Sequence, residues 1–425
     1  MKNILLFGAG KSATCLIDYL VNETKKNNWQ LIVADSNLQA AQSKIGDSTN
    51  AKAVTIDVVD AIERRTLIEQ ADIVISLLPP SLHFLVATDC VECEKNLLTA
   101  SYVDDKIRSL EPAILKKNLL FLCEMGLDPG IDHMSAMELI ERIKKEGGTV
   151  SSFKSHTGGL VAPESDNNPW HYKISWNPRN VVMAGSAGAV YKKENKIVEK
   201  KYQELFTDCE EVFINNQIGK LAWYPNRDSL GYIPVYKLEE AKTFIRTTLR
   251  YPSFCKYWQY IIDAGLTNDK ETIEAANLTF SKWAEKIIPF INESNRNAFE
   301  FLGLFDKILV PQHAKTSADI LQYLLETKLG MSTYDKDMIV MLHELEYEIA
   351  GKKHEIKSSL IVVGQDNTRT AMAKTVGLPL GIAAILILKN EIKLTGLHIP
   401  ILPEIYTSVL SELKKQGIAF EETVS

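Results

Sequence analysis

Ile4-Leu5-Leu6-Phe7-Gly8-Ala9-Gly10-Lys11-Ser12-Ala13 is the stretch on which the fold turns. Four apolar residues read as a short strand buried on both faces, and the glycines end it. The GxGxxA pattern then opens a helix. A pyrophosphate needs unobstructed backbone N–H groups at the positive end of a helix, and glycine allows that approach. Ala13 stands where a small side chain lets helix and strand pack closely. A second strand ends in Asp35, 25 positions after Gly10, about where a carboxylate meets the adenosine ribose hydroxyls. The expectation is a bound dinucleotide held by Gly8, Gly10, Lys11, Ser12, Ala13 and Asp35; a glycine turn without ligand is the alternative.

Working outward, apolar runs recur at Leu31–Ala34, Val54–Ile56, Ile73–Leu77, Leu97–Thr99 and Leu119–Leu122, with amphipathic stretches between them. Parallel strands need crossover helices, so this alternation predicts an α/β domain with a doubly wound parallel sheet. Turns leaving the carboxyl ends of such strands line the dinucleotide crevice. Asp57, Ser76, Leu77, Leu78 and Ser101 fall in such turns and join the cofactor-binding candidates. Tyr102 lies beside Ser101.

Further on, Asp128-Pro129-Gly130 reads as a helix start, with Asp as cap and Pro at the first helical position, running to about Lys145. Val150–His156 alternates like a strand, and 157–170 reads as a Gly/Pro/Asn loop. Residues 171–250 mix short strands and turns, and about 255–330 is helical. Met338–Glu348 and Leu360–Val363 return to sheet, followed by helices over about 368–390 and 404–416.

A length of 425 residues suggests two or three domains at roughly 150 residues each. Hydrophobic residues at 45% and charged residues at 24% exclude a disordered or collagen-like chain. The net charge of −6 lacks the basic excess of nucleic-acid grooves, so no nucleic-acid partner is expected. The apolar run Ile382–Leu388 falls short of the ~18–20 residues that cross a bilayer. A cytoplasmic protein with reduced thiols and no membrane partner is the expectation. Cys90 and Cys93 have CxxC spacing without a second pair or a nearby His, so no metal is expected.

Lys outnumbers Arg by 38 to 10, yet Arg227, Arg246 and Arg250 fall within 24 residues. The planar guanidinium grips carboxylates bidentately in a way Lys does not, which suggests a clamp on an anionic substrate. Surface ion pairing is the alternative. Asp128 reads either as a helix cap or as a catalytic carboxylate, and His133 as a packed or solvated histidine.

GLDPGIDHMSA (126–136), SHTGGLVAPESDNNPWHYKISW (155–176), YPNRDS (224–229) and TLRY (248–251) follow the GxGxxA strand in this order. Together with MIVMLHELEY and TVGLPLGIAA, they resemble the saccharopine dehydrogenases that form L-glutamate. The resemblance covers nearly the whole chain. It implies an N-terminal Rossmann domain, 1–129, rejoined by about 392–425. It also implies an α+β substrate-binding and dimerisation domain, 130–391, with a small helical insert at about 255–330, and a homodimer. It places Ser101, Tyr102, Asp128, Thr157, Ser175, Arg227, Thr248, Leu249 and Arg250 on substrate-contacting positions. Asp128 and Tyr102 become the catalytic candidates for proton transfer. Thr157 stands where many relatives carry Cys, and His156 where they often carry Tyr.

What the resemblance implies is oxidation of saccharopine to L-glutamate and 2-aminoadipate 6-semialdehyde. NAD is expected over NADP, because the turn Ser36-Asn37-Leu38-Gln39 after Asp35 carries no cation before Lys44. That choice implies flux toward lysine breakdown. The alternatives are an NADPH-dependent saccharopine reductase of lysine biosynthesis, a carboxynorspermidine- or homospermidine-type enzyme, a non-catalytic dinucleotide sensor, or a redox protein using the CxxC.

Overall fold

The structure, a computed structural model, describes residues 1–425. The chain divides into two compact units: Met1–Arg142 with Thr368–Ala419, and Ile143–Asn367 with Phe420–Ser425.

In the first unit β1 (Asn3–Phe7), α1 (Thr14–Asn27), β2 (Gln30–Asp35), α2 (Leu38–Ile45), β3 (Ala51–Thr55), α3 (Ala61–Glu69), β4 (Ile73–Ser76), α4 (His83–Glu92) and β5 (Asn96–Thr99) alternate as expected. Short helices α5 (Asp105–Arg108) and α6 (Glu111–Lys116) lead to β6 (Leu120–Leu122), and α7 spans Ile131–Lys145. With a seventh strand, Gly396–His398, the strands form one sheet in the order seventh–β6–β5–β4–β1–β2–β3. Every pairing is parallel. The central strands β1 and β4 are almost wholly buried, which is why they read as unbroken Ile, Leu and Val runs.

The helix Ala371–Leu388 is long and apolar enough to cross a membrane, but 83% of it is buried inside the protein. It lies against α1 through two glycines. A Cβ added at Gly377 would stand 2.9 Å from Leu16 Cβ, and one at Gly381 would stand 2.8 Å from the Tyr19 ring. Small residues here let two helices approach to backbone distance. The helix therefore belongs to the first unit, not to the second as its place before residue 392 suggested. The last strand, Glu421–Val424, goes the other way and pairs with Lys352–Val363.

The second unit is built on a ten-stranded mixed sheet. Its central strand, Thr149–Val161, runs parallel to Thr243–Arg250 and antiparallel to Asp337–Ile349. The loop expected from residue 157 starts later, because Thr157–Val161 stays paired with Asp337–Met341, and a Cβ at Gly158 would stand 2.7 Å from Leu249 Cβ, so glycine suits this strand. Helices over 252–328 pack an aromatic core that includes Trp170, Phe254, Trp258 and Phe299.

A further difference concerns the helix expected from Asp128. It begins at Ile131, preceded by a loop closed by Gly126 N–H donating to the Pro129 carbonyl at 2.9 Å. Pro129 therefore lies two residues before the helix and is not its first residue; the Asp128–Pro129 peptide is cis.

The helix contact yields a prediction. Gly377→Ala should overpack the interface with α1 by about 1–3 kcal/mol and lower Tm by several degrees. Thermal denaturation by circular dichroism measures this, and an unchanged Tm would mean the two helices separate at no cost.

Candidate active site

The glycine loop takes its shape from crowding on one side and openness on the other. Gly8 has φ +103, and a Cβ there would lie 2.5 Å from the Leu77 carbonyl oxygen, so only glycine fits beside the end of β4. A Cβ at Gly10 would meet nothing within 4 Å, which leaves the loop backbone open to a ligand. Lys11–Ala13 form a single 3-10 turn before α1, with Lys11 exposed, Ser12 half-buried and Ala13 in the core. Leu77 N–H donates to Phe7 at 2.8 Å, and Leu77 and Leu78 border the same edge half-buried.

Asp35 has a structural task that its spacing did not reveal. One carboxylate oxygen accepts from the Ala9 N–H at 2.6 Å and the other from the Asn37 N–H at 2.8 Å. Lys44, on α2, folds back onto the loop and donates to the Ala9 carbonyl at 2.6 Å and to the Gly10 carbonyl. Burial pulls its pKa down, partly opposed by Asp35 and Asp18. Sequence reading named Lys44 only as the first cation after the turn, because the fold of α2 alone brings it to a loop 34 positions away. Asp57 is exposed, and its carboxylate accepts from the Val59 N–H at 3.0 Å within its own turn.

At the carboxyl ends of β4 and β5 lies a buried polar cluster. The Ser76 hydroxyl is 2.8 Å from one ring nitrogen of His83, and the Ser101 hydroxyl is 2.7 Å from the other. The Tyr102 hydroxyl donates to the Asp128 carboxylate at 3.3 Å, so the two catalytic candidates are brought together. Glu124 braces both neighbourhoods: one oxygen accepts from the Val103 N–H at 3.1 Å and the other lies 2.9 Å from His133 Nε2. His133 is therefore a fully packed histidine. Glu124 and His83 carried no recognisable motif in the sequence. Burial raises the Cys90 thiol well above its ordinary range, which disfavours a thiolate there.

The second unit holds the remaining candidates. Side chains alternate along strands, and Thr157 pairs with Thr248, which pairs in turn with Tyr224. Thr157, Thr248, Arg246 and Arg250 thus share one face. Arg250 is 4% exposed, donates to the Leu249 carbonyl at 2.7 Å and lies 5.3 Å over the Tyr172 ring and 5.6 Å over Phe254. Its Nε and the Thr157 hydroxyl oxygen are buried without any hydrogen-bond partner. Ser175 is buried in the loop after Tyr172. Two expectations change. The Leu249 side chain points to the opposite face, into an apolar core with Trp223 and Ile245, so only its backbone is on the candidate face. Arg227 is exposed at φ +51 on a two-residue strand, whereas Arg246 is buried with its guanidinium 4.4 Å from the Tyr232 ring. His156 also faces away, 2.7 Å from the Thr247 hydroxyl.

A parallel sheet with an open glycine loop, a carboxylate at the end of β2 and buried hydroxyls at the ends of β4 and β5 defines a nicotinamide-dependent oxidoreductase. The chain belongs to the saccharopine dehydrogenase family, NAD(P)-dependent oxidoreductases acting on CH–NH groups. Residues 4–122 match the saccharopine dehydrogenase NADP-binding domain and residues 126–418 the C-terminal domain of that family. The chain is 33% identical to the saccharopine dehydrogenase [NADP(+), L-glutamate-forming] of Saccharomyces cerevisiae, covering 99% of both. It is also 33% identical to the alpha-aminoadipic semialdehyde synthase of Arabidopsis thaliana, over 99% of this chain but only 45% of that one. The chain therefore spans about half the length of the synthases it matches. The apo saccharopine dehydrogenase (L-Glu forming) from Saccharomyces cerevisiae superposes with TM-score 0.90 over 100% of both chains at 31% identity.

Arg250 gives a two-sided prediction. A buried cation without a carboxylate weakens the fold, so Arg250→Met should keep or raise Tm. The same change should lower kcat/KM for a carboxylate-bearing substrate by about 2–5 kcal/mol. Steady-state kinetics and thermal melts on one preparation check both, and retained kcat/KM would remove Arg250 from the site.

Proposed function

We propose that the chain oxidises the CH–NH bond of saccharopine and releases L-glutamate and 2-aminoadipate 6-semialdehyde after hydrolysis of the resulting imine. The observation that carries this reading is the buried Arg250 guanidinium with no carboxylate of its own, beside the unpartnered Thr157 hydroxyl. Such a face suits a substrate with several carboxylates. A polyamine-type substrate would bring added positive charge toward that cation. The full-length match to enzymes named for L-glutamate formation supports the same choice.

Nicotinamide supplies the hydride acceptor when it is bound. The N–H groups of Gly10, Lys11 and Ser12 would hold the dinucleotide's pyrophosphate, whereas those of Gly8 and Ala13 already donate to the Ala34 and Gly10 carbonyls and shape the loop. The chain's own task is proton transfer for imine hydrolysis, for which Tyr102 and Asp128 form a hydrogen-bonded pair. Saccharopine with dinucleotide should raise absorbance at 340 nm; no rise with either NAD or NADP would overturn the reading.

For the dinucleotide, the preference for NAD rested on Asp35 repelling a 2′-phosphate. Both Asp35 oxygens already accept backbone N–H bonds, and Lys44 brings a cation to the same loop. The Saccharomyces cerevisiae relative is named for NADP(+), and residues 4–122 match a domain named for NADP binding. We therefore read NADP as the better ligand, with NAD as the second, and the inference toward lysine breakdown falls away with the NAD preference. Lys44→Ala should raise the NADP Kd on the order of 10-fold and leave the NAD Kd nearly unchanged. Fluorescence titration without substrate tests this, and an equal rise for both would reduce Lys44 to a loop strut. The reading also carries a homodimer in the cytoplasm; a monomer mass in light scattering would remove the dimer.

A further inference from the structure

His83 stands outside every motif that led to the site, yet the hydrogen bonds of its ring all go to hydroxyls at the reactive edge of the first unit. It is the first residue of α4, delivered by the turn Pro80–Leu82, and is 4% exposed. Nδ1 lies 2.8 Å from the Ser76 hydroxyl and 3.5 Å from that of Thr99, while Nε2 lies 2.7 Å from Ser101. Ser101 is held a second time, its N–H donating to the Thr99 hydroxyl at 3.2 Å. The ring therefore joins the ends of β4 and β5 to the turn that carries Ser101 and Tyr102.

Burial keeps the imidazole neutral, pushing its pKa down to about 4 against the opposing pull of Asp104. A neutral ring has one donor and one acceptor nitrogen. One of the two serine hydroxyls must then donate to it and the other accept. Neither hydroxyl is left to rotate freely.

We propose that His83 is a positioning residue for the reaction: by holding Ser101 through Nε2 it fixes the Ser101 hydroxyl and the adjoining Tyr102 for the substrate. This rests on the reading that Ser101 faces the reacting groups. A packed core histidine would have the same burial, so the test has to separate the two ring nitrogens. In Asn the side-chain amide reaches only as far as Nδ1, and in Gln it extends to about the place of Nε2. His83→Asn thus keeps the Ser76 bond and loses Ser101, whereas His83→Gln does the reverse.

The experiment is steady-state saccharopine oxidation on the full chain, with NADP Kd by fluorescence titration. His83→Asn should lose about 10-fold or more in kcat with Kd within about two-fold, and His83→Gln should stay within about three-fold of the original kcat. His83→Asn combined with Ser101→Ala should be no slower than Ser101→Ala alone, because both remove the same positioned hydroxyl. Equal losses in the Asn and Gln variants, or a loss confined to Kd, would overturn the proposal. Should the Asn variant not fold, the Gln variant decides: kcat at or below that of Ser101→Ala overturns it. A silent Ser101→Ala instead overturns the underlying reading of Ser101, so the two failures are distinguishable.

Discussion

A strand buried on both faces and paired only in parallel has nowhere to place polar side chains except at its ends, and the first unit depends on that constraint. All strands of its sheet point one way, so their carboxyl ends gather Asp35, Ser76 and Thr99 along one edge. Asp35 ties the glycine loop to β2 through the Ala9 N–H. Ser76 and Thr99 meet the same histidine. The polar edge is continuous because β1 and β4 lie side by side, and the crossover helices are required by the same parallel geometry.

The second unit works by the two-residue period of the strand. Thr157, Thr248 and Arg250 fall on one face and His156 and Leu249 on the other, through register alone. Evolution accepts an unpaired buried guanidinium only where something else gains from it, since a desolvated cation weakens the fold. The aromatic rings of Tyr172 and Phe254 soften that cost without neutralising the charge. An anionic ligand would complete the pairing, and the proposed substrate, with its carboxylates, is of that kind.

The sequence by itself determined the sheet and its loop. Apolar runs of three to five residues, two glycines and a carboxylate at a set spacing admit few other structures, because each satisfies a local steric or hydrogen-bonding need. It also carried the family, through motifs too long to arise by chance, and with the family the expectation that Tyr102, Asp128 and Arg250 serve the chemistry. Only the tertiary structure decided what those groups touch. Lys44 reaches the glycine loop because α2 turns back, Glu124 and His133 meet across nine residues, and His83 bridges two strand ends. The helix at 371–388 joined the first unit because Gly377 and Gly381 fit against Leu16 and Tyr19, a match no periodicity records. Local patterns report what a residue needs from its own neighbours along the chain; contacts between distant segments depend on how whole elements pack.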